Sequence, residues 1–165
     1  MAERKGEVDL FLSIVGTKSG KIKGESADAK HSGEIEVETY SWDVEQPVSK
    51  HSGGLASGKR EHGPFIVTFK TQSVTPKLIG CVCNGEHLKA VVLTCRKAGK
   101  EQQEYLKWTM ETAMISKFET FYLEDDIVPR DRVTFAYRTI EIEYHQQNSD
   151  GTLGGAITTR DELGT

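Results

Sequence analysis

Gly53, Gly58 and Lys59, in the stretch "GGLASGKR", reproduce the opening of a phosphate-binding loop, G-x-x-x-x-G-K. In such a loop backbone N–H groups cradle phosphates and the lysine reaches the terminal ones. The next position needs a Ser or Thr hydroxyl for magnesium, and here it is Arg60. The downstream run "GPFIVTF" is a strand pattern, whereas a phosphate-binding loop should open a helix whose N-terminus faces the phosphates. Nucleotide binding is therefore set aside for a flexible Gly-rich loop. Cys81, Cys83, His87 and Cys95 are the other set with ligand chemistry. If residues 76–83 are helical, Cys81 and Cys83 point roughly 200° apart, because each residue advances by about 100°, and they cannot share one ion. A Cys95–His87 nucleophilic pair lacks the third, orienting group such pairs require. No metal, no cofactor and no catalytic cluster are expected, so an enzyme ranks behind other readings. His31, His51, His62 and His145 fall in expected loops or strand ends and are assigned to exposed polar positions.

Charge is more informative. Glu34, Glu36 and Glu38 alternate along one strand face and read as a solvated face. Lys50, His51, Lys59, Arg60 and His62 make the Gly-rich loop locally basic, while Glu124, Asp125 and Asp126 make a separate loop acidic. Opposite charge on two loops is an asymmetry that head-to-tail stacking of copies could use.

The whole chain sets limits on these sites. Its 165 residues fit one domain, 1–165, able to bury a core without staples. A hydrophobic share of 36%, a charged share of 28% and a net charge of -4 suit a soluble globular protein and argue against nucleic acid. The N-terminal stretch is not a signal peptide, and without a long apolar run no transmembrane helix is expected, so synthesis and folding are assigned to the cytoplasm. Three cysteines are an odd number and read as reduced, mostly buried thiols.

The elements that must position these residues are mostly strands. Val8, Leu10, Leu12 and Ile14 alternate, and a long polar connection, "GTKSGKIKGESADAKHSG", comes after them. Next come a strand from about 34 to 46, the Gly-rich loop, and the run Phe65, Val67, Phe69. Thr75 as cap, Pro76 at the first position and Asn84-Gly85 as stop define one short helix over about 76–83. Runs 88–97 and 103–111 flank "AGKEQ" as a hairpin, another strand covers about 113–123, and a last long one carries "RVTFAYRTIEIEYHQ". Residues 148–165 read as a loosely held tail. Two strands change phase: Ile35 and Val37 give way to Tyr40, Trp42 and Val44, and Val133, Phe135 and Tyr137 to Ile140, Ile142 and Tyr144. A β-bulge near Glu38 or Thr39 would keep the first set on one core face, and the second slip, near Arg138 or Thr139, marks a bend. The fold class is mainly β: an antiparallel sandwich or barrel of two sheets with one short helix on its flank.

Taken in chain order, "VDLFLSIVG", "KGESADAKHSGEIEVETYSWDVEQP", "HSGGLASGK", "TPKLIGCVCNGEHLKAVVLTCRKAGKEQQEYL" and "NSDGTLGGA" resemble the Hcp family, the haemolysin-coregulated proteins of the bacterial type VI secretion system. The most specific parts are K-G-E-S, S-W-x-x-x-Q-P, H-x-G-G and R-K-A-G. The resemblance implies a single β-barrel domain whose copies close into a hexameric ring around an open channel. Rings stack into the inner tube of a contractile apparatus, beneath a tip protein and inside a sheath, and the lumen holds effector proteins. It further implies a protein without catalytic activity that leaves the cell by contraction, which is consistent with secretion without a signal peptide and with a role in virulence. The first connection is a few residues longer than the family's usual form, and "ITTRDELGT" lacks an aromatic expected after the Gly-rich segment.

By the same resemblance the strand bearing "YSW" lines the channel, which makes Thr39, Ser41 and Asp43 the lumen and cargo candidates. Pro47–His62 matches the loop that reaches the neighbouring ring, so Lys50, His51, Lys59 and Arg60, with Glu124, Asp125 and Asp126, are the ring-stacking candidates. The alternative is a barrel binding a small ligand in its own interior.

Overall fold

A computed structural model describes residues 8–51, 54–97 and 102–163. In chain order the strands are β1 (Val8–Gly16), β2 (Gly20–Lys21), β3 (Ile35–Val37), β4 (Thr39–Ser41), β5 (Val44–Glu45), β6 (Val48–His51), β7 (Gly54–Ser57), β8 (Glu61–His62) and β9 (Phe65–Lys70). The helix α1 (Thr75–Asn84) comes next, then β10 (Leu88–Lys97), β11 (Glu104–Phe121), β12 (Arg130–Gln147) and β13 (Leu153–Glu162).

Among the described residues the chain is mainly β and antiparallel with one helix, as its alternation requires, but the strands do not divide into two sheets and form no closed barrel. One nine-stranded sheet runs β2-β1-β10-β11-β12-β9-β4, with β3 also on β1 and β13 also on β12, beside two short ribbons, β5–β8 and β6–β7. One segment links the two sides of this sheet: Ile35–Val37 pairs with β1, while Thr39–Ser41 pairs with β9. The face change lies at that switch of partner. Glu38 donates its N–H to the Thr68 carbonyl at 2.8 Å while Thr39 also faces Thr68, so two residues oppose one. Ile35 and Val37 are buried, and Tyr40 and Trp42 pack against the same core. Val44, expected with them, is 49% exposed because the chain has by then left the sheet.

The second slip is shared by two strands. The runs expected as separate strands, 103–111 and 113–123, are one strand, β11, with Thr112 at φ 49°, a left-handed conformation uncommon for a β-branched residue. Met110 faces Ile140 and Ala113 faces Tyr137, all four buried. Each strand therefore carries one extra residue at the same level, and the register between them survives the change of face.

Phe65, Phe69, Phe135, Leu12, Leu93 and Met110 are fully buried and fill the interior. The helix adds Leu78 and Cys81 and packs on β11. Its start differs from expectation: Val74 is the N-cap, and Thr75 turns its hydroxyl to the buried Asp131 and does not cap the helix. Its end is as expected, with Gly85 in the left-handed conformation and its N–H returned to the last turn. The polar connection is folded tightly over the sheet. Gly24 donates to Gly33 O at 2.8 Å, and a Cβ on Gly24 would stand 2.4 Å from Glu34 O, which is why a glycine is needed in K-G-E-S. β13 falls within the stretch expected as a loose tail, yet pairs with β12 from Thr139↔Glu162 to Gln147↔Leu153.

Candidate functional site

The stretch from Pro47, expected as a flexible Gly-rich loop, belongs with the end of the preceding expected strand to an arm of two ribbons spanning residues 44–62. Val44 pairs with His62 and Glu45 with Glu61 at its root, and Val48↔Ser57 to His51↔Gly54 make its tip. Ser52 and Gly53, the latter part of the phosphate-loop match, lie outside the described residues, as does the side chain of His51. Lys50 and Lys59 are exposed, and so are the apolar Val48 and Leu55, the latter at 76%.

The root is tied to the body by polar contacts. Trp42 Nε1 donates to Tyr137 Oη at 2.5 Å, and that hydroxyl donates to Gly63 O at 2.7 Å. Arg60 donates from Nε to Asp161 Oδ2 at 2.5 Å and from Nη2 to Oδ1 at 2.9 Å and to Glu162 O at 3.0 Å. His62, whose side chain is buried, places Nε2 2.9 Å from the same Asp161 oxygen. The hydrogen bonds from Arg60 hold the Asp161 carboxyl below its usual range.

Glu124, Asp125 and Asp126 lie on the connection from β11 to β12. Glu124 and Asp125 are exposed, but Asp126 pairs with Arg130 Nη2 at 2.7 Å, and Arg130 Nε reaches Glu38 at 2.6 Å. Of the stacking candidates, Arg60 and Asp126 are thus engaged inside their own chain. Tyr122, Leu123 and Ile127 on this loop are exposed, Ile127 at 94%.

The two charged regions stand at opposite ends of β9. Lys70 pairs with Arg130, where the acidic loop joins β12, whereas Phe65 pairs with Phe135 beside the arm's root. Thr39, Ser41 and Asp43 all point away from the core and are exposed, Thr39 and Ser41 lying next to Thr68 and Ile66.

Sequence spacing missed a buried polar cluster under the connection. Arg96, 2% exposed, donates to both Asp28 oxygens at 2.9 and 2.8 Å and to Asp9 at 3.0 Å. Its guanidinium lies 4.7 Å from the Phe11 ring centre, and His31 stacks on the same ring at 4.3 Å. His31 is buried between Glu34 and Glu104, not exposed as expected, and His62 departs from expectation in the same way. The one sequence signal was an arginine inside the apolar run "VVLTCRK". Cys81 and Cys95 are buried, Cys83 is exposed, and all three are free; burial pushes Cys95 up to about 11. Among the described residues no three His, Cys, Asp or Glu side chains are arranged to hold a metal ion.

Comparison with known proteins gives a consistent picture. The family described as "Type VI secretion system effector, Hcp" matches residues 11–144. Protein hcp1 of Pseudomonas aeruginosa is 33% identical over 150 residues, covering 90% of each chain. The crystal structure of Hcp1 from Salmonella typhimurium is 28% identical with a TM-score of 0.72, over 94% of both chains. A structure of a type six secretion system protein, 23% identical, shares the fold at a TM-score of 0.86 over 95% of this chain and 96% of its own.

Proposed function

The chain belongs to the Hcp family of type VI secretion system proteins, and from that premise we propose that it is a subunit of the system's inner tube. Copies close into a hexameric ring, and rings stack head to tail around a lumen that carries effector proteins. A tip protein, a contractile sheath and effectors are its partners, and the tube leaves the cytoplasm by contraction. Among the described residues no helix is long and apolar enough to cross a membrane.

The observation that carries this reading is the placement of the arm and the acidic loop at opposite ends of β9, separated by six residues, or about 17 Å of strand. Stacked copies then bring Lys50 and Lys59 of one to Glu124 and Asp125 of the next, a heterologous contact that repeats along an axis. Thr39, Ser41 and Asp43 form the polar face offered to cargo, with a hydroxyl donor and acceptor at Ser41. The alternative of a small ligand inside the barrel is disfavoured by the buried aromatic and aliphatic side chains that occupy that space.

Light scattering over a wide concentration range, with negative-stain images, tests the proposal. A mass several times that of one chain and a ring with a central hole are expected. Lys59→Glu should weaken stacking and leave rings intact, and Glu124→Lys with Asp125→Lys on the same chain should restore it. A strict monomer at every concentration sinks the reading.

A further inference from the structure

Between the arm's root and the sheet lies a small, mostly apolar cleft of ≈140 Å³, walled by Trp42, Val44, Trp108, Ile140 and Ile142, with His62 and Asp161 also in its lining. It is well below the roughly 300–1,000 Å³ of a site for a drug-sized ligand, and suits one branched aliphatic side chain.

The most exposed large apolar residue among those described is Ile127, at 94%. Tyr122 and Leu123 on the same loop are exposed as well, so Ile127 is one of three open apolar side chains on one connection, the kind of surface that marks an interaction site. It cannot reach the cleft of its own chain. The loop leaves β12 at Arg130, the cleft lies at Ile140 and Ile142, and roughly 30 Å of strand separates them. A copy stacked head to tail brings the two together: Glu124 and Asp125 accompany Ile127, while Asp161 on the cleft is paired with Arg60 and the exposed Lys59 precedes Arg60 in the chain.

We propose that Ile127 of one copy seats in the Trp42–Trp108 cleft of the copy stacked against it. This rests on the head-to-tail reading above and adds the apolar anchor that the exposed charges lack, since surface ion pairs by themselves contribute little. The chain's two tryptophans both line the cleft, so seating reports directly in tryptophan emission.

The full-length chain is followed by light scattering and tryptophan emission from dilute rings to stacked rings. Emission shifts as stacks form in the wild type. Ile127→Asp keeps the ring mass, needs about 10- to 100-fold more protein to stack and shows no such shift, whereas Ile127→Leu behaves as the wild type. In a Cys83→Ser background, Val44→Cys with Ile127→Cys links copies through an oxidised disulfide, and neither single cysteine does. Stacks that form without cross-linking, or Ile127→Asp that stacks at wild-type concentration, overturn the seat and leave the head-to-tail reading standing. A chain that forms nothing larger than one ring overturns both.

Discussion

Arg60 and Asp161, 101 residues apart in the chain, form a two-pronged ion pair that fastens the root of the arm to the C-terminal strand. Both side chains are about one-third exposed, so the pair adds little to global stability, but its fork geometry fixes an angle. The strand in turn is held on β12 by a ladder unbroken from Thr139↔Glu162 to His145↔Ala156 and by Leu163 N donating to Arg138 O at 2.7 Å. The direction of the arm is therefore set by the far end of the chain.

Asp161→Asn should release the arm with little change in melting temperature. Trypsin should then cut at Lys50 and Lys59 several-fold faster than in the parent chain. The exchanged pair Arg60→Asp with Asp161→Arg should recover slow cleavage. Equal cleavage rates in parent and Asp161→Asn would remove the tether.

Acid should act through the carboxylates that are held below their usual range, Asp28 and Asp161 among them. Hydrogen bonds from Arg96 hold Asp28 well below the usual carboxylate range, and Arg60 holds Asp161 below it. A depressed folded value means that the stability these groups contribute is fully present above the unfolded value of about 3.9 and is lost as pH falls through the folded values. Thermal melts in a pH series should be flat in this respect above about pH 5 and fall steeply below about pH 4. Asp28→Asn should flatten that acid limb; an unchanged slope would dissociate the Arg96 cluster from acid sensitivity.

Removing the cation of that cluster is costlier than protonating its partners. Arg96→Met leaves Asp9 and Asp28 facing each other under the connection without a counter-charge, and should destabilise the chain by about 2–4 kcal/mol in urea unfolding. Loss of less than about 1 kcal/mol would show that the cluster is held by packing on Phe11 alone.

Thr112 carries backbone strain at φ 49° where β11 changes face. Asparagine tolerates this conformation better than a β-branched residue, so Thr112→Asn should stabilise by about 1 kcal/mol. Glycine should gain less, because it gives up more backbone freedom on folding. A lower melting temperature for Thr112→Asn would mean that the Thr112 side chain contributes more than its conformation costs.

Ser41→Gln tests the cargo face. The residue is exposed, so the variant should melt like the parent, while on the proposed cargo role the longer side chain should crowd the lumen and reduce effector recovered with purified rings. Undiminished recovery would take Ser41 out of the cargo surface.

Residue order alone was enough to establish the class of fold and most of its parts. Period-two runs identified β1, β9, β10 and β12 because a half-buried strand must alternate, and Pro76 with Gly85 bounded the helix because few residues suit those backbone positions. The slips at Glu38 and near Thr139 were legible for the same reason, since one extra residue sends every later side chain to the other face. What those slips do emerges only in the folded chain: the first moves a strand from β1 to β9, and the second is matched by Thr112 so that β11 and β12 bend as a pair. Folding also turned an expected loop into a ribbon and an expected tail into an edge strand, because Gly-rich polar segments carry no burial pattern and gain order only from a neighbour's hydrogen bonds. The clustering of Asp9, Asp28 and Arg96, and of Arg60 with Asp161, had no local signature, since each depends on contacts between residues far apart in the chain. Alternation records which side of a strand is buried; which strand lies beside it is a property of the whole chain.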